Sequence, residues 1–484
     1  MMKSRTLVWT ITGVVTLLAL LGGAASALAF VNWPGYQFDT GHSSLNGAAT
    51  TITPSRASAL APAWSKAFAP SGGFESSPVV YNGSIYIGGK NGIFYQLNEA
   101  TGAVAHSVKL GNEHACSQGT YRYGIEATAT VSPDPGRAGA ATVYITGANG
   151  TTTGNGGIYL WGLDASTLKR VWTTDPVTVD TEVGALAWAS PTVSNGTISV
   201  GIASGCDAPL VRGGMSVFNQ ATGTLVGSYK AVPAGTLGGT IWATPAASGT
   251  STWLATGNAA QTKGAIPGDS FSIVRLQGAT KVDSWTVPSQ IGTDNDFGAT
   301  PTLFTGLIGT TATPMIGSCN KNGTFYALQS QSLSTGPVWT YQLGAKGTGN
   351  LCNSGGVWDA GARQLILGST KTANGHPGSI QALSPDAAPA SRVMWQSYLP
   401  CAVEGPPSED GAGVLAVDTF GQCSTGSSPR LYLYNAHATV PNGSGPPAPQ
   451  LLKTITTGAS VFAQPSFADG YLFVASEKNL MAYH

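Results

Sequence analysis

The chain has 484 residues, and its 23 basic and 23 acidic side chains cancel to a formal net charge of zero. Only 10% of the residues are charged, which argues against partners recognised through a basic surface, such as nucleic acids and anionic membranes. The 65 Gly and 29 Pro residues interrupt any long helical period outside the first 29 residues, so the composition favours an all-β chain.

The first 29 residues have the pattern of a secretory signal peptide. Lys3 and Arg5 precede an apolar run that ends at Leu21, and a small-x-small site ends at Ala29. We expect cleavage after Ala29, a secreted or periplasmic protein, and no integral membrane domain once the leader is removed. The alternative is an uncleaved anchor, although the apolar run is shorter than the about 20 residues that a spanning helix needs.

Next in the chain comes a short segment, Leu60 to Phe68, that carries Trp64, and then a strand-and-turn unit that recurs to the C-terminus. The units close on an aromatic residue every 54 to 57 residues, at Trp172, Tyr229, Trp285, Trp339 and Trp395. This length accommodates four strands and four turns. Because one such unit cannot bury both faces of its sheet, the repeat predicts a ring of units, a β-propeller.

The last unit ends at Tyr483 and is short by one strand, whereas Trp64 belongs to no unit of its own. We therefore predict that the strand around Trp64 completes the C-terminal blade. This pairing closes an eight-bladed ring over residues 60–484 and removes a free sheet edge. Residues 30–59 are then an N-terminal extension.

Six Cys residues follow the leader, none of them in a Cys-x-x-Cys pair, so three disulfides are expected and a cysteine metal site is not. The expected pairs are Cys401 with Cys423 within one blade, Cys319 with Cys352 between neighbours, and Cys116 with Cys206.

The segments between the repeats carry further motifs in a fixed order. They are Glu75 before Ser-Ser-Pro, Cys116 followed by Arg122, Ser204-Gly-Cys-Asp207, Gly238-Gly-Thr-Ile-Trp242, Thr256-Gly-Asn258, Asp294-Asn-Asp296 and Lys321-Asn-Gly323. With these segments the mature chain resembles the pyrroloquinoline quinone (PQQ)-dependent alcohol dehydrogenases, which are eight-bladed propellers. The resemblance implies an oxidoreductase that uses PQQ and calcium to oxidise an alcohol or polyol.

The resemblance also implies a calcium site and a catalytic base. Asp207 and Asn258 match metal ligands of the family, and the stretch from Asp294 to Asp296 matches the one that supplies the base and a further metal contact, assigned to Asp296. Asp207 stands where the family has Glu, and the Asp294 stretch is one residue shorter, so either Asp is a candidate base. Carboxylate and amide oxygens suit calcium, which takes six to eight oxygen ligands.

The other matches imply contacts with the quinone. Trp242 would stack on its ring system, and Lys321 would reach its carbonyl and assist catalysis. Arg122 would bind a cofactor carboxylate, and Glu75 would face the quinone. An isolated Asp, Asn or Lys at a strand end is more often a turn or surface residue, so the weight lies in the shared order of the matches.

Cys116 matches the first of two adjacent Cys residues whose disulfide covers the cofactor in the family. Ser117 replaces the second, and a Cys116–Cys206 disulfide is expected to cover the same face instead. No haem-attaching Cys-x-x-Cys-His is present, so a separate electron acceptor is implied. The alternative function is that of a non-catalytic propeller that binds or scaffolds other molecules.

Overall fold

A computed structural model describes residues 29–68, 73–111, 114–115, 122–148, 157–174, 176–205, 207, 210–260, 267–288, 294–345 and 352–484. The predicted signal peptide up to residue 28 lies outside this range. Within it, no helix is long and apolar enough to cross a membrane.

Eight antiparallel sheets form the molecule, and we number them as blades in chain order. The strands of blades 1 to 4 are Val79–Tyr81, Ser84–Gly88, Ile93–Asn98 and Val104–Lys109; Thr130–Pro133, Ala141–Ala148, Ile158–Asp164 and Val177–Asp180; Thr192–Ser194, Thr197–Ser204, Gly214–Asn219 and Leu225–Lys230; Ala246–Ser248, Ser251–Ala255, Ser272–Gln277 and Thr280–Thr286. The strands of blades 5 to 8 are Thr302–Ile308, Thr311–Cys319, Thr324–Gln329 and Pro337–Gln342; Gly356–Asp359, Gln364–Thr370, Gly378–Leu383 and Val393–Leu399; Ser408–Asp410, Val414–Asp418, Arg430–Val440 and Ala448–Thr456; Ser466–Ala468, Tyr471–Ala475, Asn479–Tyr483 and, from the N-terminal side, Pro62–Ala67.

Other elements in the described residues are short. They are the strands Leu45–Asn46 on blade 7 and Ala185–Leu186 on blade 3, the hairpin of His114–Ala115 with Arg122–Tyr123, the helix Pro54–Ala57, and the 3-10 turns Leu333–Thr335 and Pro389–Ser391.

The predicted ring closure is confirmed. The strand Pro62–Ala67 pairs antiparallel with Asn479–Tyr483, so that Ser65 lies opposite Met481. The first strand of blade 8 in turn contacts the first strand of blade 1. Blade 8 is therefore assembled from both ends of the propeller, and its fourth strand is the one that the C-terminal repeat lacks.

Hydroxyl groups join neighbouring blades around the axis. The backbone N–H of Ser77 donates to Oγ1 of Thr128 at 2.8 Å, and the N–H of Thr128 donates to Oγ of Ser190 at 3.0 Å. The series continues from the N–H of Ser190 to Thr244 at 3.0 Å and from the N–H of Thr244 to Thr300 at 3.3 Å. The Ser or Thr that recurs just before the first strand therefore satisfies a buried backbone donor of the preceding blade.

The recurring aromatic residue and the recurring Gly turn form a second contact between blades. The Trp64 indole N–H donates to the carbonyl of Glu99 at 2.8 Å, and its ring covers Gly102, whose φ is +66°. A Cβ at Gly102 would lie 2.6 Å from that indole, and a Cβ at Gly223 would lie 2.6 Å from Trp172. The repeat is thus conspicuous in the sequence because an indole of one blade needs a side-chain-free turn on the next.

The N-terminal extension lies inside the ring, against the innermost strands. Its carbonyls at Pro34, Thr40, Gly41, Ser43 and Ser44 accept backbone hydrogen bonds from blades 2, 4, 5, 6 and 7 at 2.7–2.9 Å. Trp33 pairs with Val80 of blade 1 and is fully buried. The sequence predicted no role for this segment, which joins several blades through its backbone.

Two of the expected disulfides are present. Cys319 pairs with Cys352, with Cα atoms 5.7 Å apart, and Cys401 pairs with Cys423, with Cα atoms 3.9 Å apart. The second was expected within one blade, but Cys401 follows blade 6 and Cys423 lies between two strands of blade 7, so it joins neighbours instead. The predicted Cys116–Cys206 pair lies outside the described residues.

Candidate functional site

Six candidate residues come from the same end of blades 3, 4 and 5. Asp207, Asn258 and Lys321 follow the second strands of these blades, whereas Trp242, Asp294 and Asp296 precede the first strands of blades 4 and 5. In an antiparallel sheet the start of one strand lies beside the end of the next. This is why residues as far apart as 207 and 321 meet at one mouth of the propeller.

The side-chain amide of Asn258 holds two carboxylates together. Its Nδ2 donates to Oδ2 of Asp207 at 3.1 Å and to Oδ1 of Asp294 at 3.1 Å. The two carboxylate oxygens therefore lie within twice 3.1 Å of each other. Asn258 is 5% exposed, and its Oδ1 is buried with no hydrogen-bond partner among the described residues. The carboxylates of Asp207 and Asp294 thus converge on the side-chain amide of Asn258, which brings three oxygen-bearing side chains together.

Lys321 occupies the centre of the site. Its Nζ lies 2.8 Å from Oδ1 of Asp294 and 2.9 Å from Oδ1 of Asp296. The second oxygen of Asp296 accepts the indole N–H of Trp242 at 2.9 Å, and Nζ lies 5.1 Å from the centroid of that ring. Lys321 is 8% exposed and Asp296 is 2% exposed. The buried ammonium of Lys321 therefore bridges the buried carboxylate of Asp296 and the more exposed carboxylate of Asp294.

The surroundings shift the pKa values of Asp294, Asp296 and Lys321 in different directions. Burial raises the pKa of Asp296 above its ordinary value, and the charge of Asp294 adds to this effect although Lys321 opposes it. Burial also opposes ionisation of Asp294, but the Lys321 ammonium outweighs it and lowers the pKa of Asp294. Burial disfavours the ammonium of Lys321, yet the charges of Asp296 and Asp294 raise its pKa well above the ordinary value. Lys321 is thus held in its charged form.

Glu75 lies in a second acidic group on the axis. It is 4% exposed, and its Oε1 lies 2.5 Å from Nζ of Lys90. Burial and the charge of Glu75 raise the pKa of Glu126 well above its ordinary value. Burial and the charge of Glu75 also raise the pKa of Glu404 to about 7, although Lys321 lowers it. Glu404 is therefore influenced by both the Lys321 site and the Glu75 group.

Sequence reasoning missed Lys90, Glu126 and Glu404, although a signal for the two Glu residues exists. Both lie four positions before the first strand of their blade, and in other blades Glu75, Trp188 and Trp242 hold the same position. Equal register in equivalent segments places side chains at one level of the axis. Lys90 also had a signal, because Lys90-Asn-Gly92 after the second strand of blade 1 repeats the Lys321-Asn-Gly323 motif that follows the second strand of blade 5.

A cavity of about 40 Å³ lies among these residues, bordered by Glu75, Glu126, Trp188 and Trp242. It has room for about one water molecule. Trp242 is only partly buried, so its indole also presents surface outside this cavity.

Three predicted contacts lie beyond what the structure describes. Cys116 and Cys206 lie outside the described residues. Arg122 is placed only as part of the short strand that pairs with His114–Ala115.

No family model and no curated protein matches the chain. Solved structures do match it. Quinohemoprotein alcohol dehydrogenase from Comamonas testosteroni aligns with a TM-score of 0.69 and 16% identity, over 94% of this chain and 80% of that one. A europium-containing methanol dehydrogenase aligns with a TM-score of 0.70 and 14% identity, over 92% of this chain and 89% of that one. BamB from Moraxella catarrhalis aligns less closely, with a TM-score of 0.53 and 14% identity, over 88% of this chain and 99% of that one.

Sequence identities this low show that the fold is shared but do not show a shared function, because one fold hosts unrelated functions. The chain therefore has the eight-bladed propeller fold of the quinoprotein alcohol dehydrogenases.

Proposed function

We propose that this protein is a secreted quinoprotein oxidoreductase that oxidises an alcohol group with PQQ and calcium and passes the electrons to a separate acceptor. The observation that carries the proposal is the convergence of Asp207, Asn258 and Asp294 beside the Lys321 ammonium and the Trp242 indole. A dehydrogenase fold alone would not require this set of side chains at one mouth of the ring.

The donor set fits a calcium ion. Calcium binds carboxylate and amide oxygens at about 2.3–2.6 Å, so two of its ligands lie at most about 5 Å apart. Asp207 and Asp294 each lie 3.1 Å from the amide nitrogen of Asn258, well inside this limit. A rotation of that amide would turn its unpartnered Oδ1 toward them. We assign Asp207, Asn258 and Oδ1 of Asp294 as the ligands. Both oxygens of Asp296, the first choice from the sequence, are already engaged, Oδ2 by Trp242 and Oδ1 by Lys321.

The quinone would rest on the Trp242 indole. The cavity of about 40 Å³ on the axis is too small for a tricyclic cofactor, so the stacking surface is the indole area outside that cavity. Aromatic faces suit such a planar partner. Glu75, Cys116 and Arg122 are the further cofactor contacts that the sequence resemblance proposes.

When bound, PQQ supplies the two-electron oxidising chemistry, and the chain's residues supply positioning and proton transfer. Asp294 is the accessible carboxylate, with a side chain 42% exposed against 3% for Asp296. Its lowered pKa keeps it ionised, so its free oxygen can accept the hydroxyl proton of an alcohol. Lys321 holds both carboxylates in place and adds positive charge where the substrate oxygen becomes negative.

The alternative is a non-catalytic propeller that binds or scaffolds another molecule. The pairing of Lys321 with Asp294 and Asp296 is the observation that favours it, because the lysine already supplies both carboxylates with a cation. In this alternative the Lys321 network is a purely structural ion-pair cluster. The two functions differ in one measurable respect, because the alternative requires neither quinone binding nor a dependence on calcium.

Reconstitution with PQQ and calcium tests the proposal directly. The mature protein should acquire the absorption of the bound quinone only when calcium is present, and a chelator should remove it. It should then reduce an artificial dye in the presence of an alcohol. A protein that binds no PQQ at millimolar calcium would refute the dehydrogenase function.

Asp294→Asn with Asp296→Asn tests the base. The double variant should lose dye reduction by roughly a hundredfold or more, because a missing general base acts on the chemical step. Asp283→Asn on the fourth strand of blade 4 is the matched control and should keep full activity. Equal activity in the double variant and the control would exclude both Asp residues as the base.

A further inference from the structure

A second group of metal-ligating side chains lies away from the Lys321 site. Asp359 is the last residue of the first strand of blade 6, Glu409 is central in the first strand of blade 7, and His437 lies in the third strand of blade 7. The residues of the Lys321 site belong to blades 3, 4 and 5, so the two groups of side chains occupy different blades.

The three side chains converge on one point. Nε2 of His437 lies 2.7 Å from Oδ2 of Asp359 and 3.2 Å from Oε1 of Glu409. One donor atom from each residue falls within 4.8 Å of the other two. A single imidazole N–H cannot form a linear hydrogen bond to both carboxylates, so the shorter contact with Asp359 leaves Glu409 Oε1 without a hydrogen-bond donor among the described residues.

The burial of Glu409 is a second, independent indication of a bound ion. Its side chain is fully buried, and among the described residues its Oε2 has no hydrogen-bond partner. Burying a carboxylate without donors is costly, and such groups are usually paired or bound to a metal. Its backbone is fixed, since its N–H donates to the carbonyl of Ser44 at 2.9 Å. The 3.2 Å contact between its Oε1 and Nε2 of His437 shows that the carboxylate faces the cluster.

The neighbouring groups leave the metal-facing atoms available. Oδ1 of Asp359 accepts the backbone N–H groups of Gly361 and Ala362 at 2.8 and 3.0 Å, which fixes the carboxylate and leaves Oδ2 for the cluster. The ring of His437 lies over Gly413, where an added Cβ would come within 2.7 Å of Nδ1. The His437 side chain is 47% exposed, which gives an ion a path from solvent.

We propose that Asp359, Glu409 and His437 bind a divalent transition metal ion, for which zinc is the natural probe. Zinc binds imidazole nitrogen and carboxylate oxygen at about 2.0–2.2 Å, which places tetrahedral ligands roughly 3.3 Å apart. The observed separations of 2.7 and 3.2 Å to the ring nitrogen need only small side-chain rotations. Calcium is disfavoured because it takes oxygen ligands. Water would complete the coordination, and the ion would join the first strands of blades 6 and 7.

Zinc titration of the mature protein tests this site, with excess calcium present so that oxygen-rich sites are occupied. Calorimetry should show one zinc ion per chain, and zinc should raise the melting temperature because it binds only the folded state. His437→Ala removes a half-exposed ligand without opening the core. It should weaken binding by roughly a hundredfold or more, since loss of even an outer-shell partner costs about 10–100-fold.

His106→Ala, on an exposed strand of blade 1, is the matched control and should bind zinc as the wild type does. Glu409→Gln should weaken binding in parallel with His437→Ala, and Asp207→Asn should not change it. The absence of saturable zinc binding, or equal binding by His437→Ala and the wild type, would overturn the proposal. Either result would leave the PQQ proposal untouched, because the two sites share no residue.

Discussion

The Lys321 network allows a stability prediction whose size follows from burial. Lys321→Met keeps the length of the side chain and removes its charge, which leaves Asp296 buried without a cation. Breaking a buried pair on one side costs about 3–5 kcal/mol. Asp294 adds little because its side chain is 42% exposed and screened pairs contribute about 1 kcal/mol or less. We therefore expect a loss of about 3 kcal/mol at pH 8.

The loss should depend on pH in a defined direction. With the ammonium gone, burial and Asp294 both raise the pKa of Asp296, so protonation relieves the buried charge as the pH falls. Compared with the wild type at the same pH, Lys321→Met should be less destabilised at pH 5 than at pH 8. Lys321→Met combined with Asp296→Asn should recover much of the loss, since the carboxylate is then absent.

Urea unfolding followed by tryptophan fluorescence measures these differences. Lys281→Met is the matched control, because this lysine pairs with Asp269 but its side chain is 42% exposed. It should cost no more than about 1 kcal/mol. A loss below about 1 kcal/mol for Lys321→Met, or a loss that is the same at pH 5 and pH 8, would contradict the argument from burial.

Two further predictions concern the repeat and the acidic group on the axis. Gly102→Ala should destabilise the protein by more than about 2 kcal/mol, because its Cβ would meet the Trp64 indole at 2.6 Å. Gly196→Ala has a similar positive φ but nothing within 4 Å, so it should cost only about 1–2 kcal/mol in urea unfolding; equal losses would exclude the steric explanation. Glu404→Gln should reduce the fall in stability that we expect for the wild type between pH 5 and pH 8.

The blade count was predictable because its cause is local and periodic. An indole at the end of one unit requires a Gly turn on the next, so Trp64 and Gly102 mark a contact that recurs around the ring. The missing strand after Tyr483 left one pairing, and the structure has it. The N-terminal extension could not be predicted in this way. Residues such as Thr40 and Ser44 act through their carbonyls, and backbone hydrogen bonding to distant strands leaves no side-chain pattern.

The candidate site was predictable in part. Asp207, Asn258 and Lys321 were found through their order between the repeats, and the structure brings them together. Which of Asp294 and Asp296 is buried was not predictable, because it depends on which carboxylate the Trp242 indole engages. The position of Glu404 could be read from its own segment, but its raised pKa could not. The raised pKa arises from burial and from the charge of Glu75 on another blade, with Lys321 opposing both.

The cluster of Asp359, Glu409 and His437 could not be predicted from the sequence either. Its three members lie 50 and 28 residues apart and match no metal-binding spacing. Only the stacking of blades 6 and 7 brings the donor atoms within 4.8 Å. A propeller thus brings together polar side chains of neighbouring blades that no short sequence spacing links.

Glu404 makes the stability of the whole ring depend on pH, with a sign that can be worked out. Burial raises its pKa from 4.5 to about 7 in the folded protein, so between these values the native state holds a proton that the unfolded chain releases. The contribution of Glu404 to stability therefore falls as the pH rises through this window, by about 1.4 kcal/mol per pH unit at most. Glu126, whose pKa is also raised, acts in the same direction. Carboxylates with a lowered pKa, such as Asp164 at about 2, change stability only at lower pH.

Glu404→Gln keeps the shape of the side chain and cannot titrate, so the unfolding free energy of this variant should vary less between pH 5 and pH 8. Glu477→Gln, at a partly exposed position, should follow the wild type. A Glu404→Gln variant whose unfolding free energy changes between pH 5 and pH 8 as much as that of the wild type would show that the buried Glu404 carboxyl is not protonated in the native state.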